Sequence, residues 1–393
     1  MVYDWAPRLS PGQVTNLLVD IYMAQYSPAA GNSLRSEEKI VPMLWGPPGV
    51  GKTDAVKNAS HIIAEKLGRK LVECTHISPT VFRDILSHPY DYFIFCDIKL
   101  ERYEYSDLIG LPYFREASGI HYTDWYPPKW VAALGLDGIA GILFFDELTN
   151  AAPDAVKCAM EAIYEKKLGD IVFSPYVMIV AAGNPPEYSS VARSLPEPLM
   201  TRLAHIWVSV SPEEWIAWAR ENGVSESIIR FIEKNPDKIS VPWLNAVPRT
   251  WAILGKAIRI KGLEKWERTL AVSLTGIDPF MEEKEQTAIS DTIEVALRLA
   301  EMYRRARTFK AKLDLFKKLI ETIHLALGSE YKYAVISKIG DTLKHDDHIG
   351  EIVRSYYSSI CREMSPECKW FIEFNEAIIR YNIEERRLEE DEI

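Results

Sequence analysis

An α/β fold is predicted for this chain: a parallel sheet covered by helices, followed by an all-helical region. Three observations predict it. Between about residues 40 and 210, short apolar runs alternate with stretches of helical periodicity, as in a sheet flanked by helices. A glycine-rich loop joins the first apolar run to the first of those helices. From about 211 onward the periodicity is almost entirely helical. At 393 residues the chain is long enough for two or three domains with a sizeable core. The expected divisions are a helical lead-in over 1–39, the α/β core over 40–210, a linker and helical lid over 211–330, and a C-terminal helical extension over 331–393.

In the lead-in, Val14, Leu17, Leu18, Ile21 and Tyr22 share one helical face, and Pro28-Ala29-Ala30-Gly31-Asn32 breaks the pattern. The core strands are expected at 40–45, 70–75, 92–98, 141–145, 176–181 and 204–210, with either the second or the third open to being an insertion. Ser211-Pro212-Glu213-Glu214 starts a helix: Ser as cap, Pro in the first turn, acids at the positive end of the dipole. Pro242 and Pro248 punctuate the chain before a helix at 249–262, and long helices are expected at 284–305, 309–327 and 350–388. The tail Glu384–Glu392 reads as a solvated helix end.

The loop Gly46-Pro47-Pro48-Gly49-Val50-Gly51-Lys52-Thr53 satisfies G-x-x-x-x-G-K-[ST], between the run 40–45 and a helix carrying Ala55, Val56, Ala59, Ile62, Ile63 and Leu67. Glycines let backbone N–H groups close around phosphate oxygens, and the helix N-terminus adds a favourable dipole. Gly46, Pro48, Gly49, Val50 and Gly51 would line the phosphates, Lys52 would reach the β- and γ-phosphates, and Thr53 would help hold Mg²⁺. A nucleoside triphosphate with Mg²⁺ is the expected ligand.

Gly141-Ile142-Leu143-Phe144-Phe145 is an apolar strand running into Asp146 and Glu147. A buried parallel strand delivers such residues to the ligand side of its sheet. Asp146 is then placed to bind Mg²⁺, partly through water, and Glu147 to activate the attacking water. Taken alone the pair could equally cap the following helix; the phosphate loop favours the catalytic reading. A third run, Tyr176–Ala182, ends in Gly183-Asn184-Pro185-Pro186. There Asn184 either holds water between Glu147 and the γ-phosphate or serves only as a turn residue.

In this succession the chain resembles the AAA+ ATPases, with Asn184 at their sensor 1 position. More narrowly it resembles the MoxR-type and dynein-related, helix-2-insert branch. Ser106–Pro112 is similar to that branch's Asp-Leu-x-Gly-x-Pro segment, Glu165–Phe173 to its hairpin before sensor 1, and Leu195–Leu203 to its Pro-x-x-Leu-x-x-Arg-Phe segment, with Leu203 in place of Phe. The resemblance covers about 40–260. It implies an ATPase acting as a chaperone-like motor, active sites between the subunits of a ring that is usually a hexamer, and a partner carrying a von Willebrand A domain. It also assigns Arg202 to the arginine-finger position, with Arg193 as a weaker candidate, and Arg249 to sensor 2 at the start of a lid helix. An ATP-dependent assembly module with incidental turnover and a nucleic-acid translocase or helicase loader are the alternatives.

A net charge of −10 argues against a surface built broadly for nucleic acid. No apolar run is long enough for a membrane span, and Met1-Val2-Tyr3-Asp4-Trp5 lacks the pattern of a signal peptide. Five cysteines without a CxxC pair read as reduced thiols, so a cytoplasmic protein is expected. Gly119–Trp130 is an aromatic loop whose Tyr122, Trp125 and Tyr126 could face a pore, although core or turn packing is the simpler account, with Pro128 starting a helix that buries Trp130. Lys344-His345-Asp346-Asp347-His348 is a polar loop rather than a metal site, since adjacent residues seldom converge on one ion.

Overall fold

All six apolar runs pair into one sheet, and both of the doubtful ones belong to it. The structure, a computed structural model, describes residues 5–30, 38–74, 77–185, 192–241, 244–280, 295–296, 298–306 and 308–326. The helix expected at 350–388, the acidic tail, the His345–His348 loop, Cys361 and Cys368 lie outside the described residues. Two compact units are present, one ending at Trp218 and one beginning at Ala219.

In chain order the first unit runs β1 (Arg8–Leu9), α1 (Pro11–Gln25), β2 (Pro42–Trp45), α2 (Lys52–Leu67), β3 (Lys70–Glu73), α3 (Pro79–Ser87), β4 (Tyr92–Lys99), α4 (Tyr105–Ile109), β5 (Leu111–Ala117), β6 (Ile120–Tyr126) and α5 (Lys129–Leu134). It continues with β7 (Ala140–Asp146), α6 (Pro153–Glu165), β8 (Lys167–Leu168), β9 (Ile171–Val172), β10 (Tyr176–Gly183), α7 (Glu197–Met200) and β11 (Ala204–Val208), and its last residues form most of α8 (Pro212–Glu221). Seven strands form a parallel sheet in the order β1-β11-β2-β10-β7-β4-β3.

Side chains alternate across each strand, so the sheet builds two cores. One face, with Met43, Trp45, Ile94, Leu143, Phe145 and Ile179, packs against Leu108 of α4, Val131 of α5 and Ala159 of α6. The other face, with Leu44, Phe93, Phe144, Met178 and Ile206, packs against Leu18 and Tyr22 of α1 and Val56 and Ile63 of α2. Every residue of β7 is buried, as a central strand covered on both sides requires. Residues 8–25, read from the sequence as a lead-in, are built into this sandwich: Arg8 and Leu9 pair with Trp207 and Val208 at the sheet edge. Two residues are too few to register as a periodic strand.

The stretch 119–130 is corrected from a loop to a hairpin arm. β5 and β6 pair antiparallel from Leu111↔Tyr126 to Ala117↔Ile120, around Ser118 and Gly119, both at positive φ (52° and 77°). Such a two-residue turn matches the twist of its strands. Pro128 caps α5, whose Trp130 is buried, while Tyr122 and Tyr126 are exposed and the rings of Tyr113 and Tyr126 stack 3.7 Å apart. Around Gly169 the short strands β8 and β9 form a second hairpin.

The second unit is helical apart from one isolated bridge, Val241↔Ala246, among the described residues. Its helices include α9 (Glu226–Lys234), α10 (Pro248–Ala257), α11 (Glu267–Thr275) and Phe309–Ala326. Trp251 of α10 is fully buried against Phe231 of α9 and donates its indole N–H to the Lys238 carbonyl at 3.0 Å. Among the described residues no helix is long and apolar enough to cross a membrane.

Candidate active site

Four neighbouring parallel strands deliver polar residues from their C-terminal ends, the edge where ligands bind in open α/β sheets. The phosphate-loop residues Gly46, Pro48, Gly49, Val50 and Gly51 follow β2, and Lys52 and Thr53 open α2. Asp146 ends β7 and Glu147 follows it, Asn184 follows β10, and Lys99 ends β4. The register sets Gly183 beside Trp45, Ala181 beside Phe145 and Lys99 beside Asp146. Residues far apart in the chain therefore converge because the strands are parallel and in step.

The loop is wedged between β11 and the start of α1. A side chain on Gly46 would sit 2.8 Å from the Val208 carbonyl oxygen. Gly51 holds φ = 100° as the cap of α2, and a Cβ there would meet the Pro11 ring at 3.3 Å. Val50 is buried, which pins the loop from inside. Gly12 N–H donates to Glu214 Oε2 at 2.9 Å, and Ser10 Oγ donates to Oε1 of the same carboxylate, so α8 anchors the start of α1.

Lys52 is buried, and its ammonium donates to the carbonyls of Gly46 (2.8 Å) and Pro47 (3.1 Å) and to Asn184 Oδ1 (2.8 Å). The amide of Asn184 donates in turn to Glu147 Oε2 at 2.9 Å, and Asn150 Nδ2 donates to the same oxygen at 3.0 Å. Thr149 fixes the backbone of Asn184 on both sides, donating to its carbonyl (3.0 Å) and accepting from its N–H (3.1 Å). Asn184 is thus buried and engaged through both side-chain polar atoms, more than a turn residue requires. Glu147 lies at φ = 56°, an uncommon conformation for a non-glycine residue, in the turn that leads from β7 into residues 148–150. Burial, and then the adjacent Asp146 charge, push its carboxyl above the ordinary carboxylate range, against the opposing pull of Lys52 and Asn184.

Asp146 Oδ2 accepts from Thr53 Oγ1 and from Lys99 Nζ, both at 3.0 Å, while Oδ1 accepts from Glu147 N–H at 3.0 Å. A hydroxyl and one carboxylate side by side, next to a phosphate loop, suit Mg²⁺, which takes few protein oxygens and completes its shell with water and substrate phosphates.

Of the expected site residues, the structure brings together the loop, Lys52, Thr53, Asp146, Glu147 and Asn184. Arg202 is not in this hydrogen-bonded group: it is exposed after α7, its guanidinium 4.4 Å over the Tyr164 ring. Arg193 is also exposed, and its N–H donates to the Thr149 carbonyl at 2.8 Å. Arg249 is exposed in the first turn of α10, within the second unit. Lys99, Thr149 and Asn150 were not expected. Thr149 and Asn150 lie just after the carboxylate pair, where polar residues could have been suspected, whereas Lys99 carries no local signal.

No protein-family model matches the chain, and no curated protein matches it. Among solved structures, the Thermotoga maritima RuvB Holliday junction branch migration motor is similar at 18% identity over 83% of this chain and 87% of that chain, with a TM-score of 0.36. The Aeropyrum pernix ORC2 protein in its ADPNP–ADP complexes is similar at 14% identity over 85% and 87%, with a TM-score of 0.39. PCH-2 of C. elegans is similar at 11% identity over 87% and 71%, with a TM-score of 0.30.

Proposed function

We propose that this chain is an ATPase of the AAA+ type, of the MoxR-like, helix-2-insert branch, that couples ATP hydrolysis to remodelling of a protein partner. One observation carries the reading: the hydrogen-bonded chain from Lys52 through Asn184 to Glu147, set beside the Thr53–Asp146 pair at the mouth of the phosphate loop. It joins a phosphate-binding cation to a candidate general base through a single orienting amide. A module that merely binds nucleotide needs the loop and Lys52, but not a base held at two points.

In this reading the loop amides and Lys52 hold the β- and γ-phosphates. Thr53 and Asp146 would hold Mg²⁺, which would neutralise phosphate charge. Glu147 accepts a proton from the attacking water, and its raised proton affinity suits that task. Asn184 and Asn150 keep the carboxylate turned toward that water. Arg202 would act on the γ-phosphate of a neighbouring subunit, which makes the working form a ring, a hexamer by the family resemblance. Arg249 would contact phosphate from a lid over 211–330, and that lid's movement against the 40–210 core would transmit the work. A von Willebrand A-domain protein is the partner class that the resemblance favours.

The test is Glu147→Gln. The variant is expected to bind ATP with near wild-type affinity and to lose hydrolysis; unchanged turnover would overturn the assignment. The same variant, loaded with ATP, should retain the protein partner in pull-down.

A further inference from the structure

Both oxygens of Asp146 are already engaged. Its Oδ1 accepts from the Glu147 N–H, and its Oδ2 is shared by the Thr53 hydroxyl and the Lys99 ammonium, each at 3.0 Å. Lys99 lies beside Asp146 in the sheet register and arrives from the neighbouring strand β4. Two residues earlier, on the same face of β4, is Asp97. Its Oδ2 is 3.7 Å from Lys99 Nζ, just beyond hydrogen-bond range. Its Oδ1 is buried and has no hydrogen-bond partner among the described residues. One ammonium thus stands between two carboxylates, bonded to one and short of the other, and the second keeps an open acceptor.

We propose that Lys99 is a built-in counter-cation that competes with Mg²⁺ for Asp146, and that Asp97 is the acceptor onto which it withdraws. The inference rests on the Mg²⁺–nucleotide reading of the site. Any divalent ion engaging Asp146, directly or through water, meets a positive charge already on Oδ2. Like charges this close in a partly buried site repel strongly. The flexible four-carbon stem of lysine lets the ammonium turn toward Asp97 without movement of the sheet. The Asp97 carboxylate, whose Oδ2 faces the ammonium at 3.7 Å and whose Oδ1 has no donor among the described residues, then gains a charged donor, which offsets the loss of the Asp146 bond. Lys99 sets the metal affinity of the site, and Asp97 sets how readily Lys99 gives way.

The variants are therefore expected to move metal affinity in opposite directions. Full-length protein saturated with ADP is titrated with Mn²⁺, and free Mn²⁺ is read by electron paramagnetic resonance. Lys99→Met should tighten the apparent Mn²⁺ affinity by about 3–10-fold, and Asp97→Asn should weaken it by a similar factor. In a Lys99→Met background, Asp97→Asn should change it by less than about 2-fold, because no ammonium is left to withdraw. Lys99→Arg, which keeps the charge, should stay near wild type; Lys99→Gln replaces Lys99→Met if the latter does not fold. An unchanged or weakened affinity in the charge-removing Lys99 variants would overturn the inference. So would an Asp97→Asn effect of equal size in both backgrounds, which would mark it as a direct field effect. Failure of the wild type to bind ADP would instead overturn the nucleotide reading beneath it.

Discussion

Asn184 donates its amide to Glu147 Oε2 at 2.9 Å while its own oxygen accepts from Lys52 at 2.8 Å. The residue links Lys52 to the candidate base, and Thr149 holds it from behind. Asn184→Ala is expected to leave nucleotide affinity within a few-fold of wild type and to lower kcat by about 10²-fold, the usual scale for a lost orienting donor. Parallel measurement of ADP affinity by fluorescence and of phosphate release checks this. Equal losses in both would make Asn184 a residue of the fold rather than of the reaction.

Arg202 gives a prediction of a different kind, because its target would lie outside its own subunit. Its guanidinium stacks 4.4 Å over the Tyr164 ring, and the residue is exposed. Arg202→Ala should abolish most hydrolysis, by about 10³-fold, with little change in nucleotide affinity. Mixing it with Glu147→Gln protomers should restore part of the activity, since some interfaces then pair an intact base with an intact arginine. No recovery at any mixing ratio would remove Arg202 from the active site.

How much of this site was legible in the sequence depended on whether its parts are contiguous. The loop 46–53, the strand ending in Asp146-Glu147 and the run before Asn184 each carry their signal in a few adjacent residues, and the structure brings all three within hydrogen-bond reach of one another. Lys99 could not be read this way. Its role comes from the pairing of β4 with β7, and nothing in Cys96–Arg102 announces which strand will lie alongside. The hairpin at 111–126 was obscured for another reason: its aromatics include the adjacent pairs Tyr113-Phe114 and Trp125-Tyr126 and neither strand has a buried residue, so no hydrophobic period of two stands out. The two-residue strand β1 left no period at all.

Gly46 offers a steric test of the loop. An added Cβ would lie 2.8 Å from the Val208 carbonyl oxygen, which belongs to sheet backbone and cannot swing aside. Gly46→Ala should cost about 1–3 kcal/mol of stability and displace the loop from β11. Chemical denaturation together with ADP binding measures both effects. Wild-type values in both assays would show that the loop tolerates a side chain at its root.

Lys166 makes the last prediction, and its sign is opposite to that of an ordinary core mutation. The residue caps α6 at φ = 53° and is buried, and its ammonium nitrogen has no hydrogen-bond partner among the described residues. Burial, and then the charge of Lys39, push its pKa down to about 7. In the unfolded chain it would titrate near the ordinary lysine value, about 10.4. Between those two values the unfolded chain binds a proton that the folded chain does not, so stability rises with pH across that window. Below about pH 7 the full penalty applies in the folded protein; above the unfolded value it vanishes. Lys166→Met, nearly equal in volume, should therefore stabilise the fold at neutral pH, by on the order of a few kcal/mol. Its advantage should shrink steadily from about pH 7 toward about pH 10. Denaturant titrations of both proteins across that range measure the difference, and a constant gap would show that the Lys166 amine is charged in the folded state.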